Sequence, residues 1–397
     1  MMVASIADTH LTETPHPGGY SLEEQVAQLI WIGEDAAKRG ALAMLHGGDL
    51  FDGANGSRPS TPAERNAAIK VVTAWAEMTQ VAIVRGNHDH AGDLLFLGRL
   101  RTRHPVVVFD APATVTMLSG QIQVACLPWP RKAHLATWSG IKSGPDLNAA
   151  LVAGLRSVLG GLSEWGPGAV KVLLAHAELG SAVLDNGQPV IGRCDVALGE
   201  SDLLGVGADV VLLGHIHRHQ VLADGRICYA GAPRPNKFGE VGPHGYCLVD
   251  VEPGGVPSIE HISAPGRKMV TIDAEWIGRD LTCDGDGIVD VDLFDGIPDM
   301  GGLSGQSVRL AYEVDESERE IAKVKAEEIR AKLLAAGAHS VKIVPTIKTT
   351  QRVRSRAMVA AATSEDRLRA YWESRGASPT REQSIIEKLA EIEEVTP

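Results

Sequence analysis

The chain has 397 residues, 44% hydrophobic and 22% charged, enough for two or three domains with cores of their own and too apolar for wholesale disorder. Its 38 basic against 50 acidic residues give a net charge of -12, which excludes a protein that coats nucleic acid by bulk attraction and demands a local patch of any nucleic-acid binder. The five cysteines are an odd number without a C-x-x-C pair, so they indicate neither a disulfide framework nor a thiolate zinc site and fit a reducing compartment.

Short aliphatic runs alternate with amphipathic stretches over residues 1–264. The runs at 3–7, 41–46, 81–85, 170–175 and 209–213 have the length and β-branched content of buried strands. Between them, residues 21–39, 61–78 and 144–162 carry helical spacing, the first opening with Ser21 and Glu24 as a capping box. The alternation predicts an α/β domain. Strands at 220–223, 226–230, 246–252 and 258–262 then follow one another without helices, so part of the sheet system should be antiparallel. Pro265 and Gly266 mark a boundary, beyond which residues 265–347 form a small α+β module with strands at 269–274, 307–314 and 340–347 and a charged helix at 316–336. The remainder, 348–397, holds a basic connector (348–356) and a helical pair at 364–374 and 380–394, with Ser364 and Thr380 as N-caps. Leu368, Tyr371 and Trp372 on the first helix and Ile385, Ile386, Leu389 and Ile392 on the second form apolar faces that need a partner. No apolar stretch reaches the roughly 18 to 20 residues needed to span a bilayer, and the N-terminus is charged too early for a secretory signal. The expectation is a soluble, cytoplasmic protein with no membrane partner.

Acidic, amide and imidazole residues recur where strands end. Asp8 and His10 follow the first strand, Asp49 the second, Asn87 and His88 the third, His176 the fourth, and His215 and His217 the fifth. Ligands of open α/β sheets bind outside the carboxyl ends of the strands, so these side chains can converge on one crevice. Carboxylates, imidazoles and one amide oxygen, with no thiolate, suit borderline-hard divalent ions such as manganese, iron or zinc. Seven donors exceed the need of one four-coordinate ion, and an aspartate can bridge. Two ions about 3.5 to 4 Å apart can activate water and clamp both oxygens of an in-line displacement at phosphorus, so the chemistry implied is phosphoester hydrolysis. His16, His46, His90, His104, His134, His219, His244, His261 and His339 are read as ordinary polar residues, His90 being the least secure because it adjoins the Gly-Asn-His-Asp turn. The Asp-rich run 284–290 fails as a calcium loop, because Ile288 and Val289 stand where an oxygen ligand and Gly are needed. No P-loop is present either.

The ordered blocks D-x-H, G-D, G-N-H-D, H and G-H-x-H resemble those of calcineurin-type metallophosphoesterases. That resemblance implies a β-sandwich flanked by helices, with Asp8, His10 and His217 on one metal, Asn87, His176 and His215 on the other, and Asp49 between them. It places His88 beside the scissile phosphate, where it stabilises charge and protonates the leaving oxygen. The flanking residues LHGGDLFD at 45–52, LPW at 127–129, YAGAP at 229–233 and KFGE at 237–240 are similar to SbcD-type DNA repair nucleases. This narrower resemblance implies a manganese-dependent exonuclease on double-stranded ends and endonuclease on hairpin or single-stranded DNA, acting as a homodimer and nucleoid-associated when at work. It further implies a capping domain at 265–347 and docking of a coiled-coil SbcC-like ATPase on the terminal helices. Thr12, the loop at 13–19 and residues 234–236 depart from the family pattern and bear on how DNA approaches. Two other readings stay open: a phosphodiesterase for cyclic nucleotides or other small phosphoesters, and a non-catalytic scaffold with this fold.

Overall fold

The computed structural model describes residues 1–14, 19–53, 56–130, 147–184, 186–190, 198–240, 242–277, 280–282, 303–348, 361–375 and 384–388. The start of the helix expected at 144–162, the acidic run 284–290, the connector beyond Lys348, His16 and His134 lie outside these residues, as does all of the second terminal helix except 384–388, which is helical.

Two six-stranded sheets face one another. The first contains β1 (Met2–Ile6), β2 (Ala43–His46), β3 (Gln80–Val84), β4 (Val106–Phe109), β11 (Gly245–Asp250) and β12 (Ser258–Ser263), in the order β12-β11-β1-β2-β3-β4. The second contains β5 (Ala113–Met117), β6 (Ile122–Leu127), β7 (Val170–His176), β8 (Val210–Gly214), β9 (Gln220–Leu222) and β10 (Ile227–Tyr229), in the order β5-β6-β7-β8-β10-β9. β1 to β4 run parallel, as do β6, β7, β8 and β10, whereas β11, β12, β5 and β9 pair antiparallel with their neighbours. The helix-free stretch after residue 218 thus supplies antiparallel strands, as expected.

The inner faces of both sheets form one buried layer that includes Val3, Leu45, Ala82, Val84, Val124, Leu174, Leu212, Cys228, Cys247 and Val249. The outer face of the first sheet is covered by α1 (Leu22–Lys38) and α2 (Pro62–Met78), both opened by capping boxes, from Ser21 and Thr61. Trp75 sits at their interface, fully buried, with Nε1 donating to the Leu29 carbonyl at 2.7 Å. The helices approach so closely there that a Cβ on Gly33 would stand 2.2 Å from the Trp75 ring. α3 (Leu147–Gly161) and the short α4 (Glu200–Leu204) cover the second sheet, where Leu151, Leu155, Leu159 and Leu203 join its outer core. The architecture is the helix-flanked β-sandwich expected.

Periodicity did not single out β4, β5 or β6. β4 is a four-residue edge strand and β5 an edge whose alternating face is exposed. β6 is fully apolar along its inner side but leads into Pro128 and Trp129 rather than directly into a helix. A third sheet combines β13 (Met269–Ile277), β14 (Asp280–Thr282), β15 (Ser307–Asp315) and β16 (Ser340–Lys348) in the order β14-β13-β15-β16. β13, β15 and β16 are parallel, and α5 (Arg319–Ala335) crosses from β15 to β16, burying Ala322, Ala326, Ile329 and Leu333 against the sheet. α6 (Ser364–Arg375) follows.

Candidate metal centre

Every residue singled out from the strand ends arrives at one place. Asp8 and His10 leave β1, Asp49 leaves β2, Asn87 and His88 leave β3, His176 closes β7, and His215 and His217 follow β8. The first five belong to the first sheet and the last three to the second, so the centre lies across the top of the sandwich. Asp8, His10, Asp49 and His215 have positive φ (54°, 42°, 56° and 106°), half of the eight non-glycine residues that do so among those described. Such backbone is costly for side-chain-bearing residues and persists where the surroundings enforce it. Two glycines make the approach possible. A Cβ on Gly86 would lie 2.0 Å from Asp49 Oδ1, and one on Gly48 would lie 2.5 Å from His176 Nδ1.

The donor atoms form two groups. His10 Nε2 is 3.1 Å from His217 Nε2, and Asp8 belongs to the same cluster. Asn87 Oδ1 is 2.8 Å from His176 Nε2 and 2.9 Å from His215 Nδ1. Asp49 Oδ2 stands between them, 3.8 Å from His10 Nε2 and 3.4 Å from His176 Nε2. Bonds of about 2.0 to 2.2 Å to a common ion imply donor-to-donor edges from about 2.8 Å in octahedral to about 3.6 Å in tetrahedral coordination, a range that holds all of these separations except the 3.8 Å between Asp49 and His10. The tautomers make the same point. His176 Nδ1 donates to the Gly47 carbonyl at 2.7 Å, so a neutral ring turns the Nε2 lone pair toward the Asn87 and Asp49 oxygens, and only a cation or a proton reconciles them. The residues present therefore fit divalent metal ions.

Burial and charge explain the proton affinities. Burial opposes charge on Asp49, but the imidazoles of His176, His10 and His88 hold its carboxyl far below the usual range. Burial likewise opposes charge on His176, and is outweighed by Asp49 and Asp8, which push it up to about 9. For His10 desolvation wins and its pKa falls well below that of free imidazole. Asp8 is raised by burial against the opposing pull of His176 and His217.

Several residues that sequence reasoning passed over complete the site. Asp52 Oδ1 lies 2.9 Å from His88 Nδ1, and the His88 amide donates to Asp49 Oδ1 at 2.7 Å. Desolvation disfavours the protonated His88 ring, yet the Asp52 hydrogen bond and the Asp49 charge prevail and raise its pKa. Glu178 Oε2 is 3.3 Å from His215 Nε2, and Glu240 Oε1 is 3.3 Å from His217 Nδ1, each behind a donor ring. Asp89 is buried and accepts the amides of Phe51 and Gly86, both at 2.9 Å, which fastens the β2 and β3 loops together; burial and then the Asp49 charge raise it to about 6. Trp129 packs its ring 4.7 Å from that of His215. Asp52, Trp129 and Glu240 fall inside the family-like blocks at 45–52, 127–129 and 237–240, so the signal was present without a role attached. Glu178 had none beyond standing two residues after His176. His90 pairs its Nδ1 with the Ala91 carbonyl and remains outside the site.

The departures of Thr12 and Arg234 turn out to be internal. Thr12 is buried and paired with Gln25 through its main chain. Arg234 is only 1% exposed, donates to the Thr9 carbonyl and to Gln28 Oε1, and so supports the Asp8 to His10 loop through Thr9 instead of presenting its charge at the surface.

Residues 1–219 match the family described as calcineurin-like phosphoesterase. The chain belongs to the calcineurin-like phosphoesterases. As a member, this phosphoesterase is a metal-dependent hydrolase of phosphoesters. It is similar to the SbcD component of nuclease SbcCD from Rhodobacter capsulatus, 30% identical over 67% of this chain and 69% of that protein. It also resembles the SbcD component of nuclease SbcCD from Escherichia coli K12, 25% identical over 68% of this chain and 70% of that one. A solved dimetal phosphatase from Danio rerio, 12% identical, aligns with 65% of this chain and 98% of its own at a TM-score of 0.40. No described helix is long and apolar enough to cross a membrane.

Proposed function

We propose that this phosphoesterase is an SbcD-type nuclease that cleaves DNA with two divalent ions, manganese in the first place. Asp8, His10 and His217 would hold one ion, Asn87, His176 and His215 the other, and Asp49 both. The observation that carries the phosphodiester reading is the meeting of these seven donors with a partly exposed His88 whose pKa is raised. Bound there, the ions supply the positive charge that activates water and neutralises the phosphate during in-line displacement.

The chain's own residues do the rest. Asp52 accepts a hydrogen bond from the His88 Nδ1–H, which leaves the Nε2–H of the imidazolium to donate to the departing 3′ oxygen. Asp49, through its Oδ1, holds the His88 main chain and so fixes where that proton is offered. Glu178 and Glu240 orient the His215 and His217 rings. Trp129 walls one side of the cleft beside His176 and His215.

DNA as substrate is supported by the two similar SbcD proteins. It brings the expected exonuclease action on double-stranded ends and endonuclease action on hairpins and single strands. The proposed layout is a nuclease domain at 1–264, a capping domain at 265–347 and a partner-docking segment at 348–397. Exposed Tyr371 on α6 and exposed Ile385 in the following helical turn support docking of an SbcC-like coiled-coil ATPase, with the nuclease as a homodimer. The test is cleavage of a hairpin oligonucleotide with manganese, with and without chelator. We expect chelator-sensitive cleavage that is abolished in His88→Ala at unchanged metal content. Turnover of a cyclic nucleotide without DNA cutting, or normal cleavage by His88→Ala, would overturn the reading.

A further inference from the structure

Away from the phosphoesterase centre, two cysteines and two histidines meet at the open edge of the sandwich. Cys228 lies on β10 of the second sheet and Cys247 on β11 of the first, both fully buried and free, with their sulfurs 3.7 Å apart. His219, at the entry to β9, brings Nδ1 to 3.5 Å from the Cys247 sulfur. His261 on β12 pairs directly across from Cys247, and its ring lies 4.6 Å from that of His219. Its Nε2 is buried without a hydrogen-bond partner among the described residues.

We propose that His219, Cys228, Cys247 and His261 form a structural site for a thiophilic ion of the zinc class. The geometry carries the assignment. Tetrahedral zinc, with bonds of about 2.3 Å to sulfur and about 2.0 to 2.1 Å to nitrogen, requires sulfur-to-sulfur edges of about 3.8 Å and sulfur-to-nitrogen edges of about 3.6 Å. The observed 3.7 and 3.5 Å are those edges, and a metal-binding grouping of His219, Cys228 and Cys247 follows from the same positions. His261 lies outside that three-residue grouping, and a shift of its ring would bring its orphaned nitrogen in as the fourth donor. Thiolate ligands select zinc or monovalent copper over the hard ions of the carboxylate site. Loading moves the His219 ring proton to Nε2 and gives up the 3.0 Å contact of Nδ1 with the Tyr229 carbonyl. Such an ion would tie the two sheets together two residues beyond His217, and so anchor the far end of the His215 to His217 turn.

The experiment uses the full chain, stripped with chelator and reloaded with cobalt. Because the phosphoesterase centre contains no thiolate, near-ultraviolet thiolate-to-cobalt charge-transfer absorption reports this site alone. We expect that band in the wild type and in Asp49→Ala, its loss in Cys228→Ser and in Cys247→Ser, and its weakening in His261→Ala. X-ray absorption at the zinc edge of the wild type, which needs no variant, should show sulfur at about 2.3 Å. Absence of the band and of sulfur scattering from the wild type overturns the proposal, as does a Cys228 to Cys247 disulfide in peptides of protein purified without reductant.

Discussion

Replacing Asp52 with Asn isolates the proton donor from the metal donors. The substitution keeps the shape of the side chain and removes the charge that faces His88 Nδ1 at 2.9 Å. A hydrogen bond to a charged group contributes about 1.5 to 3 kcal/mol, but His88 and Asp52 are 27% and 31% exposed, so solvent screening brings the expected loss to about 1 to 2 kcal/mol. At 1.36 kcal/mol per decade that is a fall of roughly 5- to 30-fold in single-turnover cleavage. The sign of the pH effect follows from the same contact. Asp52 raises the His88 pKa, so without it the imidazolium is lost at lower pH, and the basic limb of the rate profile must move to lower pH. The assay is cleavage of a hairpin oligonucleotide with manganese across a pH series, with metal content measured in parallel because Asp52 also lies 3.9 Å from His10 Nδ1. An undiminished rate or a basic limb that stays in place would refute the reasoning.

Gly86→Ala should displace Asp49, since its Cβ would lie 2.0 Å from Asp49 Oδ1; overpacking of this kind costs about 1 to 3 kcal/mol, and elemental analysis should find bound metal reduced. Glu240→Gln weakens the support behind His217, and loss of such an outer partner typically lowers metal affinity about 10- to 100-fold, measurable by competition with a chromogenic chelator. Trp75→Ala empties the interface of α1 and α2 and removes the indole hydrogen bond to the Leu29 carbonyl, for a loss of about 3 to 5 kcal/mol that denaturant unfolding would register while the metal donors stay in place.

What could be read from the sequence and what could not divide along physical lines. Strands buried on both faces announce themselves as aliphatic runs, unbroken in β8 and interrupted only by Lys171 before the closing histidine in β7, and helices with an amphipathic face and a capping box are as readily read. Asp8, Asp49, Asn87, His176 and His215 were legible because each sits at or beside a strand end, where topology alone dictates convergence. Edge strands β4 and β5 lack the buried face that periodicity detects. Glu178 and Asp89 act through contacts that form only when distant loops close, His215 with Glu178 and the Phe51 amide with Asp89. Arg234 looked like a surface substitution because arginine is rarely buried; its neighbours Thr9 and Gln28, more than two hundred residues earlier in the chain, make burial tolerable. Cys228 and Cys247 carry no sequence signal of being paired, since only the packing of one sheet on the other brings them together.

The division of the donors between the sheets also has a mechanical meaning. Each donor group takes members from both sides of the seam: Asp8 and His10 meet His217, and Asn87 meets His176 and His215. A slip of one sheet against the other by a fraction of an ångström would therefore change every donor separation that crosses the seam. The candidate metal centre thus doubles as a strain gauge for the sandwich, and any force applied to one sheet alone would be read out in the spacing of its donors.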